Sequence, residues 1–373
     1  MPEDHLVIPR SMSIPAVALA LLCAGTCAFA QSHTPPSNAA AQPAPASSIT
    51  TLAAVTVTGV VPGPGLWKVT RGDHVLWILG VVPTLPAHVE WQPAQVAGII
   101  ATSQVVIEPP GVKLKVDTSW FGKLFLLPSI YRAQRNPDGK TLQQVLPPPL
   151  YAQWDVVRQR YFGNDRGIER YRPFVAAAKL MKRALKANGL HGDGAVTDKV
   201  KALATQYHVK LETPQAVLEI REPRQALNAF AASSTDGIAC LGLVVDMVEH
   251  GIPDLKTRAN AWATGDIATL RRVPASAYRD SCKSAVMGAG FAKSLGISDL
   301  PARIEGHWLA DADATLKANP RSFAVLPMHD LLDAHGYLAA LALRGYTITA
   351  PDAELDPAAA SSTAAPASAS STR

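Results

Sequence analysis

The sequence predicts an α/β fold: a central sheet built from N- and C-terminal β-α-β halves, with a mostly helical middle insertion. Three observations carry that expectation. Near the start, the apolar run "VLWILG" ending at Gly80 is followed by "PAQVAGIIATSQ" and then by "VVIE", which ends at Glu108. Near the end, "SFAVLP", "LLDAHGYLAALALRG" and "YTITA" repeat that layout. Between the two lies a long stretch with helical periodicity and few strand signals.

Each element has its own warrant. "ITTLAAVTVTG" is β-favouring and reads as a first edge strand. "VLWILG" and "VVIE" are short continuous apolar runs, the pattern of strands buried on both faces. In the segment joining them, Val96, Ile99, Ile100 and Ser103 share one helical face. In the middle, "ERYRPFVAAAKLMKRALKANG" is a helix ended by Gly189, and "TDKVKALATQYH" is a second with Thr197 as N-cap. "VKLET" is a short strand, and "PRQALNAFAAS" a further helix. The last helix, "LLDAHGYLAALALRG", closes at Gly345 between its two strands. A β-α-β unit has parallel strands and a right-handed crossover.

The ends of the chain lie outside this plan. Arg10, an apolar run from Ile14 to Cys23, and Ala28-Phe29-Ala30 form a secretory signal peptide over residues 1–30. That run is well short of the ~20 residues that span a bilayer. Residues 31–50 are a disordered Pro/Ala-rich linker, and residues 352–373 a disordered tail. The folded body is therefore residues 51–351. The expected location is periplasmic or secreted after cleavage near Ala30, with no transmembrane segment in the mature chain.

Cleavage removes one cation (Arg10) and two anions (Glu3 and Asp4), so the net charge moves from +5 to +6. That is modest for 373 residues and argues against nucleic-acid binding. Cys240 and Cys282 remain in a disulfide-permissive compartment. Their spacing fits either a disulfide or two buried thiols.

If the four core strands share one sheet, their carboxyl ends form a crevice, where α/β proteins place working residues. Three positions come to it: the loop holding Pro83, Glu108, and the turn carrying His329 and Asp330. Asp330 is placed to orient the His329 ring. Glu212 joins them if "VKLET" reaches the same edge. No Gly-x-Ser-x-Gly elbow occurs, and "VMGAGFAKSLG" lacks phosphate-loop spacing. "RQRYFGNDRGIERYR" interleaves Arg158, Arg160, Arg166, Arg170 and Arg172 with Tyr161, Phe162 and Tyr171. It reads as a solvated helix face or as a grip for an acidic glycan.

Five segments in order, from Gly65 to Ala350, resemble the TraB/GumN family, which is related to the Tiki-type proteases. They are "GLWKVTRGDHVLWILG", "SQVVIEPP", "VKLETPQAVL", "AWATGDIATL" and "SFAVLPMHDLLDAHGYLAALALRGYTITA". The opening "VTVTGVVPGPGLWKV" resembles a divergent subgroup from Xanthomonas-like bacteria. In that family two Gly-x-x-His turns and a glutamate are proposed to gather around a metal or a hydrolytic centre. Carried over by position, the first turn keeps Gly80 but has Pro83 in place of histidine. The second keeps His329 but has Leu326 in place of glycine. The family's Arg-Asn pair is not evident in "ARIEGHWLADADATL". Glu108 and Glu212 are kept.

A catalytic zinc takes three protein ligands, and proline supplies none. The expectation is thus a degenerate cleft serving a non-catalytic binding role, with no cofactor. Its partners would be an envelope protein or an acidic glycan, since the GumN name links the family to gum production. The alternative is a metal-dependent, peptidase-like hydrolase holding zinc or manganese through Glu108, His329 and a third ligand. A scaffold reaching a partner through its Pro/Ala-rich tether is a third reading.

Overall fold

The hairpin that opens the sheet is set by its turn. Strands β1 (Leu66–Arg71) and β2 (His74–Val81) pair antiparallel from Leu66 opposite Leu79 to Arg71 opposite His74. Only Gly72 and Asp73 lie between them, and Gly72 has φ of +62°. Two-residue hairpin turns demand such positive φ values, which glycine supplies without steric cost.

The computed structural model describes residues 63–86, 93–116, 120–192, 194–232, 235–273, 282 and 297–352. The leader, the linker, the "ITTLAAVTVTG" strand, "VMGAGFAKSLG" and the tail lie outside them. After β2 come β3 (Thr84–Pro86), β4 (Val105–Ile107), β5 (Gly111–Val116), β6 (Leu190–Gly192), β7 (Lys210–Glu212), β8 (Gln215–Ile220), β9 (Arg321–Pro327) and β10 (Thr347–Thr349). The central sheet has six strands in the order β10-β1-β2-β9-β4-β7. Two small ribbons, β3 with β6 and β5 with β8, stand beside it.

That order interlocks the two ends of the chain. β9, from the C-terminal half, inserts between β2 and β4 and runs parallel to both. The β1–β2 hairpin, from the N-terminal half, separates β9 from β10. Residues from β2 (Leu76, Ile78, Leu79) and β9 (Phe323 to Leu326) are fully buried. Parallel strands covered on both faces need such unbroken apolar runs. Val96 and Ile100 of the Ala94–Ala101 helix pack into this core, with Ser103 just beyond them donating to the Ile99 carbonyl. The Ala195–Gln206 helix adds Val196, Val200 and Leu203, and the Leu300–Ala318 helix adds Trp308, Leu309 and Leu316.

Two helix boundaries differ from the sequence expectation. Thr197 is not an N-cap: the helix begins at Ala195, two residues earlier, because Gly194 turns the chain with φ of +126°. The C-terminal helix is two helices, Met328–Leu332 and Tyr337–Leu343. They part where Asp333 accepts a bond from the His335 N–H and where Gly336 packs against the Asp330 carbonyl. A Cβ at Gly336 would stand 2.7 Å from the Asp330 carbonyl oxygen.

The helical middle has a core of its own. It gathers Trp154 and Val157 from the Pro148–Phe162 helix, Ala176, Leu180 and Ala184 from Pro173–Ala187, and Leu241 and Val244 from Thr235–Asp246. Within it, Arg158 is buried and donates from Nε and Nη2 to Asp155 at 2.8 and 2.6 Å. Glu169, also buried, accepts from the Trp154 indole at 2.9 Å and lies 3.4 Å from Arg158 Nε. Arg158 is thus a structural ion, not part of a surface patch. Burying charge in this way is tolerated only because each ion is paired.

Cys240 and Cys282 are joined in a disulfide, which settles that alternative. Their separation of 42 residues implies about 4 kcal/mol of stabilisation through the unfolded state. Cys240→Ser should lower the midpoint of urea unfolding accordingly, and reductant should reproduce the loss in the native chain but not in the variant.

Candidate functional site: a cleft at the carboxyl ends of the strands

Register decides which residues meet at this edge. In the parallel β2–β9 pair, Gly80 stands opposite Leu326 and Val81 opposite Pro327. The two strands therefore end level, and the turns that follow leave the sheet side by side. Three residues beyond Gly80 is Pro83; three beyond Leu326 is His329. Both line a cleft of about 680 Å³ at the carboxyl ends of the strands. Its other walls are Pro109 and Pro110 after β4, the β3–β6 ribbon with His191, and Thr197 and Asp198 at the start of the 195–206 helix.

The turns are held from behind. Trp262, fully buried in the Ile252–Thr264 helix, donates its indole N–H to the Gly80 carbonyl at 2.6 Å. That helix ends at Gly265, whose φ of +73° is the left-handed conformation of a C-terminal cap. Asp266 then caps the next helix, Ile267–Arg272, by accepting from the Thr269 N–H at 2.9 Å. Bonds from the Thr269 backbone and then its hydroxyl hold the Asp266 carboxyl below the usual range. On the other side, Met328 and Leu331 close directly over Gly80, where a Cβ would come within 2.6 and 2.9 Å of their ends.

The sequence-predicted residues separate. His329 lines the cleft, with Nε2 3.1 Å from an Asp330 carboxylate oxygen. Glu108 and Glu212 do not line it. Glu108, at 13% side-chain exposure, is bound 3.0 Å from the Lys201 ammonium on the 195–206 helix. Glu212 pairs 2.6 Å from Lys210 on its own strand. The two carboxylates point to opposite faces of the sheet. Glu212 stands in register with Ile107, so it shares that residue's face, and Glu108 is the next residue along. His335 lies in the turn between the two C-terminal helices, away from the cleft lining.

Three cleft residues escaped the sequence reading: His191, Thr197 and Asp198. His191 reaches the cleft only because β6, three residues long, pairs with β3 across more than a hundred residues, Leu85 opposite His191. No local pattern announces such a ribbon.

The segment from residue 65 to 350 matches the model of the TraB/PrgY/gumN family. The chain belongs to that family. No curated protein matches it, and no solved structure matches it. Within this family member, the "AWATGD" segment has a scaffolding part: tryptophan ties a helix to the strand-end turn, glycine ends that helix, and aspartate starts the next.

The donor set does not fit a metal centre. Among the described residues, no group of three or more His, Cys, Asp or Glu is gathered closely enough to hold an ion. Pro83 has no ligating atom, Glu108 is engaged by Lys201, and Glu212 faces the other way.

Two stability predictions follow from this geometry. Trp262→Phe removes the indole donor and leaves the buried Gly80 carbonyl unpaired, so unfolding free energy should fall by about 1–3 kcal/mol in urea titration. Asp311, near Glu212 on the 300–318 helix, has its pKa raised from 3.8, by burial first and then by the Glu212 charge, with His307 opposing. A carboxyl whose folded pKa is raised binds its proton more tightly in the folded state, so its ionisation costs stability as pH rises through that window. Asp311→Asn should therefore raise the melting temperature at pH 7. The gain should vanish below pH 3.8, where the native carboxyl is neutral too.

Proposed function

We propose that this family member is exported and acts by binding at the strand-end cleft, not by metal-dependent hydrolysis. The observation that carries the reading is the level ending of β2 and β9, which delivers Pro83 beside His329. Where two like turns present one imidazole and one proline, the cleft keeps its shape and loses a ligand. Its lining is mostly apolar: Val81, Val82, Leu85 and five prolines (83, 86, 109, 110 and 327) face it with a few polar groups. That is the make-up of a ligand-binding concavity. His329, His191 and Asp198 would fix orientation of the bound group.

Export is supported by the leader at residues 1–30, and among the described residues no helix is long and apolar enough to cross a membrane. The ligand belongs to the cell envelope or its polysaccharide, a reading that rests on the leader and on the family resemblance.

The test is metal analysis of the protein purified from the exported fraction, with Glu108→Ala and His329→Ala variants beside it. Mass spectrometry should place the mature amino terminus at Gln31, and metal content should be far below one ion per chain in all three proteins. Stoichiometric zinc or manganese lost in both variants would sink the binding reading and establish the hydrolase in its place.

A further inference from the structure

A second cleft, of about 440 Å³, opens on the helical middle. Its floor is the exposed side of the Pro173–Ala187 helix, which turns Ala176, Ala177, Leu180, Met181 and Ala184 inward. On the outer side, Lys179, Lys182, Arg183 and Lys186 recur at i, i+3, i+4 and i+7, so all four share one helical stripe. All four line the cleft, and Arg135 joins them from the opposite wall. Asp165 is the single acidic residue of the lining. Its carboxylate is already engaged, accepting from the Gly167 N–H at 2.8 Å.

Among the described residues, none of these five cations forms an ion pair. Three of the five are held by aromatic rings. The Arg135 guanidinium lies 3.9 Å from the Tyr171 ring centroid, with Lys179 at 4.6 Å from the same ring. Arg183 sits 4.6 Å from the Phe162 ring and donates to the Tyr161 carbonyl at 3.1 Å. The rings fix the cations without neutralising them.

Like charges at i, i+3 and i, i+4 destabilise a helix. Here two such pairs of each spacing crowd one stripe, and the neighbouring Arg135 adds a fifth charge. An anion seated among them relieves all of that repulsion at once. Two arginine forks fit an oxyanion in bidentate fashion, and the lysines add point charges around it.

We infer that this cleft is a binding site for a multivalent oxyanion, one carrying two or more negative charges on phosphate or carboxylate groups. It is distinct from the strand-end cleft and does not rest on the function proposed for that cleft. It also differs from the patch the sequence suggested: Arg158 is buried, and of the arginines and aromatics of that segment only Phe162 and Tyr171 line this cleft.

Calorimetric titration of the mature chain at low salt tests the inference, with tripolyphosphate and trigalacturonate as probes for the two kinds of oxyanion. Three variants accompany it: Lys182→Gln/Arg183→Gln and Lys179→Gln/Lys186→Gln within the stripe, and Lys199→Gln/Lys256→Gln, whose residues do not line the cleft. At least one probe should bind the native chain, and each stripe variant should weaken it about tenfold or more, ~1.4 kcal/mol per decade. The control pair should bind as the native chain does. The stripe variants should melt no lower than the native chain without ligand, because they remove repulsion. Which probe binds identifies the oxyanion as phosphate or carboxylate. Failure of both probes to bind, or equal weakening by the control pair, would overturn the site in favour of diffuse charge attraction.

Discussion

The parallel pairing of β2 with β9 is the constraint on which the rest of the structure depends. It joins residues about 250 positions apart, as the Ser322 hydroxyl bonded to the Val75 carbonyl shows at a separation of 247. Both strands are buried on both faces, so the pairing is fixed by packing and not by any turn. A slip of one residue would exchange the faces of an entire strand. Gly80 would then lose its place beneath Met328 and Leu331, and Trp262 its acceptor. The level ending of the strands, and with it the meeting of Pro83 and His329, is a consequence of that one register.

Much of this framework was legible in the amino-acid order, and the reason is physical. Unbroken apolar runs such as "VLWILG" and "SFAVLP" have few options other than buried strands, and glycines 189 and 345 end helices in the left-handed conformation, with φ of +68° and +85°. The failures share a cause too. Thr197 was a good cap by composition, but Gly194 had already turned the chain. "LLDAHGYLAALALRG" kept helical periodicity straight through Gly336, because nothing in a local pattern reports that the Asp330 carbonyl approaches that residue. His191 was invisible for a related reason: it joins the cleft through a three-residue ribbon closed across the fold, and Asp198 comes to the same cleft from the start of the next helix. The basic stripe was within reach, since "KLMKRALK" carries its cations at helical spacing. The segment just upstream, with its interleaved arginines and aromatics, supplies the facing wall through Phe162, Asp165, Gly167, Ile168 and Tyr171.

The family's motifs divide into two kinds of residue once they are placed. Gly80, Trp262, Gly265 and Asp266 build and hold the turn, through close approach, a hydrogen bond, a left-handed cap and a helix start. Pro83 lines the cleft. It stands at the surface of the cleft, where a change alters chemistry at little cost to folding. The carboxylates follow the same logic. Glu108 pairs with Lys201 and ties the 195–206 helix to the end of β4.

The two clefts obey opposite electrostatic rules, and the difference follows from where each is built. The strand-end cleft is framed by turns leaving a buried sheet, where prolines and valines satisfy the backbone geometry and charge would be costly to desolvate. The second cleft lies on the outer face of an amphipathic helix whose inner face is committed to a separate core. That outer face costs little to charge one residue at a time, because each lysine or arginine keeps its head in water. Their collective repulsion is the only penalty, and it is one that a bound anion reverses. A net charge of +5 spread over 373 residues conceals such a site entirely. What reveals it is that four cations share one helical stripe, a fifth faces them, and aromatic rings rather than carboxylates hold three of the five in place.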